Sequence, residues 1–141
     1  MFVRSVKSAI PFINSTPSTH ESEKHMKVDR FHIGARLSEM AIHHGTVYLA
    51  GQIAEDASAD MEGQTRQVLG AIDKLLTEAG TDKTRILMAQ IFVSDMRLFA
   101  DMNKVWDGWV VAGQTPPRAT VEAKLATPKH LVEIVVTAAQ K

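Results

Sequence analysis

Two charged residues near the C-terminal end of the chain lie where the strand patterns are otherwise apolar. Arg118 follows a pair of prolines and opens the alternating segment 119–125, and Glu133 lies inside the nearly unbroken apolar run 131–139. Alternation and apolar runs of this length predict two strands. A buried carboxylate without a partner is costly, so Glu133 requires a cation or a functional role. We predict that Arg118 and Glu133 meet at one edge of the sheet.

This predicted pair has two interpretations. In the first, Arg118 and Glu133 form a structural ion pair between neighbouring strands. In the second, they form a small anion site, because an arginine fixed at a strand end presents a planar fork to a carboxylate ligand. A partly desolvated glutamate beside such a ligand can position or activate a water molecule. The bare pattern leaves both interpretations open.

The composition favours one globular domain with a small-molecule partner. The chain has 141 residues, of which 45% are hydrophobic, and its 16 basic and 16 acidic residues balance. Nucleic-acid binding depends on a concentrated basic field, which is missing here, so we expect no nucleic-acid partner. The sequence contains no cysteine, which excludes disulfides and thiolate chemistry and favours a cytoplasmic location. No apolar run approaches the length of a bilayer span, so we expect no membrane partner.

Residues 1–25 differ from the rest of the chain because they are rich in serine and threonine and show no sustained periodicity. We expect a flexible N-terminal extension here, followed by the folded domain at 26–141. A targeting segment is a second interpretation, although the apolar stretch is too broken for a secretory signal. An upstream extension before a second start at Met26 is a third.

Four further segments have the composition of strands. They cover residues 30–33, 39–43, 46–50 and 85–94. The second and third form a hairpin in which His44-Gly45 supplies the tight turn. The fourth is the most apolar, and we expect it inside the sheet, covered on both faces or at a subunit contact.

Two segments have helical periodicity. The first is capped by Ser58 or Asp60 and ends at Gly80, and the second covers 98–111 after a cap at Asp95. The apolar stripe of the second helix consists of Leu98, Phe99, Met102, Val105, Trp106, Trp109 and Val110. We interpret its aromatic members as core rather than as a ligand platform. The expected fold is α+β, with two helices on one face of a mixed sheet and the other face buried in an oligomer.

The histidines do not predict a metal site. His43 and His44 are adjacent, and adjacent residues on a strand point to opposite faces. The chain also lacks the helical spacings that bring two histidines to one metal ion. We therefore predict no metal.

Four short blocks together resemble the RidA/YjgF family of reactive-intermediate deaminases. They are 117–122, 132–134, 48–53 and the Met102-Asn103 step. The resemblance covers about residues 30 to 140, which is nearly the whole predicted domain. It implies a chorismate-mutase-like fold that assembles as a homotrimer with clefts between subunits.

The resemblance also implies a reaction and a set of site residues. A 2-imino or enamino acid would bind its carboxylate to Arg118, and Glu133 would hold the water that adds to the imine carbon, giving a 2-oxo acid and ammonia. The site would also contain Thr120, Asn103 and the strand end Ala50-Gly51, without cofactor or metal. The alternative is a trimeric protein that binds carboxylate metabolites and turns nothing over. RNA cleavage has been attached to some relatives, but the neutral charge of this chain speaks against it.

Three departures from the family pattern place the chain in an outlying, YoaB-like subgroup, one of them a loop between Asn103 and Arg118 that is shorter than in the best-known members. Ala35-Arg36-Leu37 stands where deaminating members carry Gly-Pro-Tyr, so the tyrosine hydroxyl expected beside the water is missing. Thr120 stands where many members carry cysteine. We expect Arg36 to supply a second cation to the cleft, which would shift the preference toward ligands with more than one acidic group.

Overall fold

A seven-stranded mixed sheet carries two long helices on one face in the computed structural model, which describes residue 11 and residues 14–141. The strands are β1 (Asp29–Ile33), β2 (Ser38–His43), β3 (Thr46–Leu49), β4 (Gln52–Ile53), β5 (Ile86–Val93), β6 (Arg118–Glu122) and β7 (Val132–Ala139). The helices are α1 (Thr19–Met26), α2 (Met61–Glu78) and α3 (Phe99–Trp109). The expected α+β class, with two helices on a mixed sheet, is confirmed.

The order of strands in the sheet is β1-β2-β3-β7-β5-β6, and β4 also pairs with β7. β5 and β6 are parallel, because α3 carries the chain back between them, while the other pairs are antiparallel. β7 therefore lies beside β5 and not beside β6. The prediction that the strands carrying Arg118 and Glu133 are neighbours is wrong.

The strand alternation separates a helix-covered face from an open face. In β7 the side chains of Val132, Ile134, Val136 and Ala138 are buried, while the residues between them are partly exposed. The buried set packs with residues of α2, among them Leu69, Ile72 and Leu76, and with Met102 and Trp106 of α3. The open face of one protomer exposes large apolar side chains, including Tyr48, Met88 and Val121.

Local sequence signals explain several element boundaries. His44 and Gly45 both have positive φ, 52° and 73°, as a two-residue turn requires between twisted strands. The Asp60 side chain accepts a hydrogen bond from the backbone N–H of Gly63 and thereby caps α2. Gly80 follows the end of α2 with a φ of 75°, a conformation that glycine adopts without steric cost. These three predictions are confirmed, with Asp60 rather than Ser58 as the cap.

Other boundaries differ from expectation. Asp95 caps a short 3₁₀ turn, Met96–Leu98, before α3 begins, and its side chain accepts from the N–H of Arg97. β6 ends at Glu122, earlier than the alternating pattern predicted, and the two-residue strand β4 had no sequence signal.

The N-terminal helix α1 covers the end of the segment 1–25, for which we expected no regular structure, and extends one residue beyond it. It spans Thr19–Met26, and its residue Ser22 donates a side-chain hydrogen bond to the backbone oxygen of Thr19. Residues 1–10, 12 and 13, which belong to the expected extension, lie outside the described residues. The division into an extension at 1–25 and a domain at 26–141 stays a prediction. Within the described residues, no helix has the length and apolar character needed to cross a bilayer.

Candidate functional site

Arg118 is the first residue of the edge strand β6, and its side chain points toward the helix layer. Its backbone pairs with Ala89 of β5, which is fully buried beneath the helices. Asn103 of α3 accepts a hydrogen bond from the Arg118 Nη2 group at 2.7 Å. The Arg118 Cζ atom also lies 5.7 Å from the ring centroid of Phe99 and 5.2 Å from that of Trp106. Three side chains on one face of α3 therefore contact the guanidinium.

Among the described residues, the guanidinium has no anionic partner. Arg118 forms no ion pair with any residue that the structure describes. Its Nη1 atom is buried without a hydrogen-bond partner, and the same is true of the Thr120 hydroxyl, two residues along β6. A buried polar group left unsatisfied costs about 1–3 kcal/mol, and more when it is charged. An oxyanion bound to these atoms would relieve this cost. Because both atoms are shielded from solvent, the side chains or the loop around them must move before it can bind.

Glu133 lies at a second place, on the open face of the sheet. It pairs with Phe92 of β5 and with Ile53 of β4, and it is half-buried. A Cβ atom added to Gly51 would lie 2.5 Å from the Glu133 Oε1 atom and 2.9 Å from its Cδ atom. The carboxylate therefore rests against the backbone of Gly51, and only glycine leaves room for it there.

A β-bulge accounts for this contact between Gly51 and Glu133. β3 pairs Tyr48 with Thr137, whereas β4 pairs Gln52 with Ile134, so the register on β7 shifts by one residue across Ala50-Gly51. The Gln52 side chain donates hydrogen bonds to the Ala50 carbonyl at 3.0 Å and to the Glu39 carboxylate at 2.9 Å. The strand end predicted to border the cleft thus lies against the predicted water-binding carboxylate.

Arg118 and Glu133 do not meet within one protomer, which corrects the sequence prediction. Arg118 shares a face of the sheet with Ala89 and Val136, while Glu133 is three residues from Val136 along β7 and therefore points to the opposite face. β5 lies between their strands. Neither the structural ion pair nor a site shared inside one subunit exists. The predicted site residues form two groups, Arg118 with Asn103 and Thr120, and Glu133 with Ala50 and Gly51.

Arg36 lies apart from both groups in the sequence but at the same end of the sheet as Gly51. It is exposed in the loop between β1 and β2, which the hydrogen bond from Gly34 N to Leu37 O closes at 2.8 Å. The bond from Ala50 N to Glu39 O places the start of β2 beside the end of β3. The structure gives Arg36 no hydrogen bond or ion pair with a described residue.

A separate groove of about 470 Å³ lies between α2 and α3 and contains none of these residues. It is lined by Arg66, Leu69, Gly70, Asp73, Lys83, Lys104, Val105, Gly108 and Trp109. No cluster of three or more His, Asp or Glu side chains suited to a metal ion occurs in the described part of the chain.

Sequence reasoning missed Phe99 and Trp106 as members of the arginine group. We interpreted both as core, and Trp106 is indeed only 4% exposed. The signal that could have found them is their spacing with Asn103: residues at i, i+4 and i+7 lie on one face of a helix. A polar residue between two aromatic residues on that face marks a surface that is not purely core.

The fold and these two groups define an α+β domain whose edge strand presents a partly buried arginine that forms no ion pair with a described residue. The chain belongs to the family described as endoribonuclease L-PSP, whose model matches residues 28–140. It is 48% identical to a RutC family protein of Haemophilus ducreyi over 112 residues, which is 79% of this chain and 96% of that protein. It is also 46% identical to the RutC family protein YoaB of Escherichia coli over 114 residues, 81% of this chain and 99% of that protein.

Solved structures agree with this assignment. A crystal structure of a YjgF family member from Neisseria meningitidis matches with a TM-score of 0.80 and 44% identity, covering 83% of this chain and 98% of that one. The predicted membership in the RidA/YjgF family, near YoaB, is confirmed.

Proposed function

We propose that this protein hydrolyses reactive 2-imino and enamino acids to 2-oxo acids and ammonia. The observation that carries the proposal is the Arg118 guanidinium, which is held by neutral groups and keeps a buried donor, Nη1, without a partner. Such a group binds a carboxylate with a charge-assisted hydrogen bond, and the Thr120 hydroxyl offers a second polar contact beside it. Every 2-imino acid carries a carboxylate next to the reacting carbon.

Because Arg118 and Glu133 point to opposite faces of the sheet, they can share one ligand only if that ligand binds between two subunits. We propose a homotrimer in which Arg118 meets Glu133 of the partner subunit at a cleft between subunits. The open face around Glu133 supports this, because Tyr48 is 50% exposed, Met88 44% and Val121 48%. Large exposed apolar patches on a sheet face are typical of protein interfaces.

The proposed reaction needs one bound water. Glu133 accepts a proton from that water as its oxygen bonds to the imine carbon, and returns the proton to the nitrogen. Collapse of the tetrahedral intermediate moves its hydroxyl proton to the nitrogen, breaks the carbon–nitrogen bond, and releases ammonia and the 2-oxo acid. Arg118 fixes the carboxylate so that the carbon faces the water, which supplies orientation rather than new chemistry. The proposed reaction uses no cofactor or metal. We also propose a cytoplasmic location.

A non-catalytic carboxylate-binding protein is the second candidate. It is favoured by the segment Ala35-Arg36-Leu37, which offers no tyrosine hydroxyl to hold the water. The exposed Arg36 at the sheet end near Gly51 would then act as a second cation for ligands with two acidic groups. The balanced charge, 16 basic against 16 acidic residues, supports a small-molecule ligand over RNA for either candidate.

The test is ammonia release from 2-imino acids generated in the assay by an amino-acid oxidase. We expect Arg118→Ala and Glu133→Gln to return the rate to the uncatalysed background. Matched controls are Arg97→Ala, whose side chain is 90% exposed, and Glu122→Gln on the exposed end of β6; both should keep the wild-type rate. Background rates in wild type, together with measurable 2-oxo acid binding, would favour the binding protein. RNA cleavage by wild type that Arg118→Ala leaves unchanged would refute both candidates.

A further inference from the structure

Three side chains on one face of α3 hold the Arg118 guanidinium. Phe99, Asn103 and Trp106 follow one another at i, i+4 and i+7, so they form a continuous strip along the helix. The Asn103 amide oxygen accepts from Nη2 at 2.7 Å, and the two ring centroids lie 5.7 and 5.2 Å from Cζ. These distances are within the range of cation–π interactions. We call this strip the α3 clamp.

All three members of the α3 clamp are neutral, which is unusual for the surroundings of a partly buried arginine. A carboxylate partner would cancel the guanidinium charge, whereas an aromatic face and an amide oxygen stabilise the charge and leave its net value unchanged. The hydrogen bond to Asn103 occupies Nη2 and leaves Nη1 without a partner among the described residues. It therefore fixes which edge of the planar guanidinium is left for a ligand.

We infer that Phe99 and Trp106 are positioning residues that hold the Arg118 guanidinium without compensating its charge and reserve its shielded Nη1 edge for an oxyanion. The identity of that oxyanion, a 2-imino or 2-oxo acid carboxylate, rests on the proposed function. The arrangement of the α3 clamp does not.

A purely structural role for these rings makes a different prediction. Trp106 is 4% exposed and its ring centroid lies 5.3 Å from that of Trp109, so any truncation of Trp106 lowers stability. If packing were the whole role, the folded variant would bind ligand as wild type does. The same should hold for Trp109, whose indole N–H bonds to the Asp73 carboxylate at 3.0 Å.

The experiment compares Trp106→Leu, Trp106→Phe and Phe99→Leu with the matched control Trp109→Leu on the same helix. Binding of 2-oxobutanoate is measured by calorimetry, and folding by thermal unfolding. We expect Trp106→Leu and Phe99→Leu to raise Kd by roughly 5- to 30-fold. Trp106→Phe, which keeps an aromatic face, should stay within about threefold of wild type, as should Trp109→Leu.

A second measurement needs no ligand and therefore separates the α3 clamp from the proposed function. The Arg118 Nε–H resonance in a ¹⁵N correlation spectrum should be shifted by the two rings in wild type and in Trp109→Leu. It should move toward the position of a free arginine in Phe99→Leu and Trp106→Leu. If wild type releases no ammonia above background and binds no 2-oxo acid but shows these shifts, the proposed function fails and the clamp stands. An Arg118 resonance that is the same in wild type, Phe99→Leu and Trp106→Phe, with no change in Kd, would overturn the clamp even if Trp106→Leu does not fold.

Discussion

Replacing Asn103 by aspartate adds a negative charge to the arginine group with almost no change of shape. The Asn103 Oδ1 atom accepts from Arg118 Nη2 at 2.7 Å, and a carboxylate oxygen can occupy the same position. The variant converts a hydrogen bond between a charged donor and a neutral acceptor into an ion pair. A proton would not cancel the new charge near pH 7, because the adjacent guanidinium favours the ionised acid. Asn103→Asp therefore tests whether the absence of an internal counter-ion is what makes Arg118 a ligand site.

The expected loss of binding follows from the charges. A ligand carboxylate on the free edge of the guanidinium would lie about 6 Å from the new carboxylate, and two like charges at about 6 Å repel by about 3 kcal/mol at an effective dielectric of about 20. That energy corresponds to a roughly hundredfold increase in Kd. Folding should respond in the opposite direction, because the new carboxylate adds a Coulomb attraction to the charge-assisted hydrogen bond that is already present.

The assay measures 2-oxobutanoate binding by calorimetry, ammonia release from 2-imino acids, and the unfolding free energy in urea. We expect Asn103→Asp to lose binding and activity while unfolding at the same or a higher urea concentration. Asn103→Ala serves as the control, because it removes the hydrogen bond without adding charge. It should weaken binding less and lower stability by about 1.5–3 kcal/mol, since the lost bond has a charged donor. Binding by Asn103→Asp within threefold of wild type would refute the reasoning about an uncompensated charge.

Three further predictions concern other parts of the molecule. Gly51→Ala should abolish ammonia release with little change in melting temperature, because its Cβ displaces only the mobile Glu133 carboxylate, 2.5 Å away; full activity would show that the position of this carboxylate is unimportant. Glu78 raises the pKa of His32, mainly through a side-chain hydrogen bond. This pair should therefore stabilise the fold below the unfolded histidine pKa of 6.5, and the stabilisation should fade as pH rises through the folded pKa. Glu78→Gln should remove that pH dependence, as followed by urea unfolding between pH 5 and 9, and an unchanged profile would contradict it. Met88→Glu on the open sheet face, where Met88 is 44% exposed, should dissociate the proposed trimer in sedimentation and remove activity. An active monomer would refute the proposed shared cleft.

Much of the fold was predictable because its signals are local. The hairpin turn at His44-Gly45 depends on two residues that adopt positive φ, and the start of α2 depends on one capping carboxylate, that of Asp60. The alternation of β7 and the stripe of α2 each express a period set by backbone geometry. The family was predictable for a related reason, because the residues around Arg118 and Glu133 that resemble it form short contiguous blocks.

The site was only partly predictable because it depends on the order of strands. The strands that carry Arg118 and Glu133 were both recognised. The position of β5 between β6 and β7, and its register with each of them, decides that these two residues point to opposite faces. No local pattern encodes that insertion, since it results from pairing between segments far apart in the chain. The contact of Gly51 with Glu133 depends likewise on a bulge that shifts the register by one residue.

The amino-acid sequence by itself determined the types of all long elements except α1, most of their limits, the α+β class and the residue types available for chemistry. Only the tertiary structure decided which of those residues share a surface, and that Arg118 is surrounded by neutral groups rather than by a carboxylate. The reason is physical: turn, cap and period preferences act over a few residues, whereas the compensation of a charge depends on every group that folding brings within a few ångströms of it.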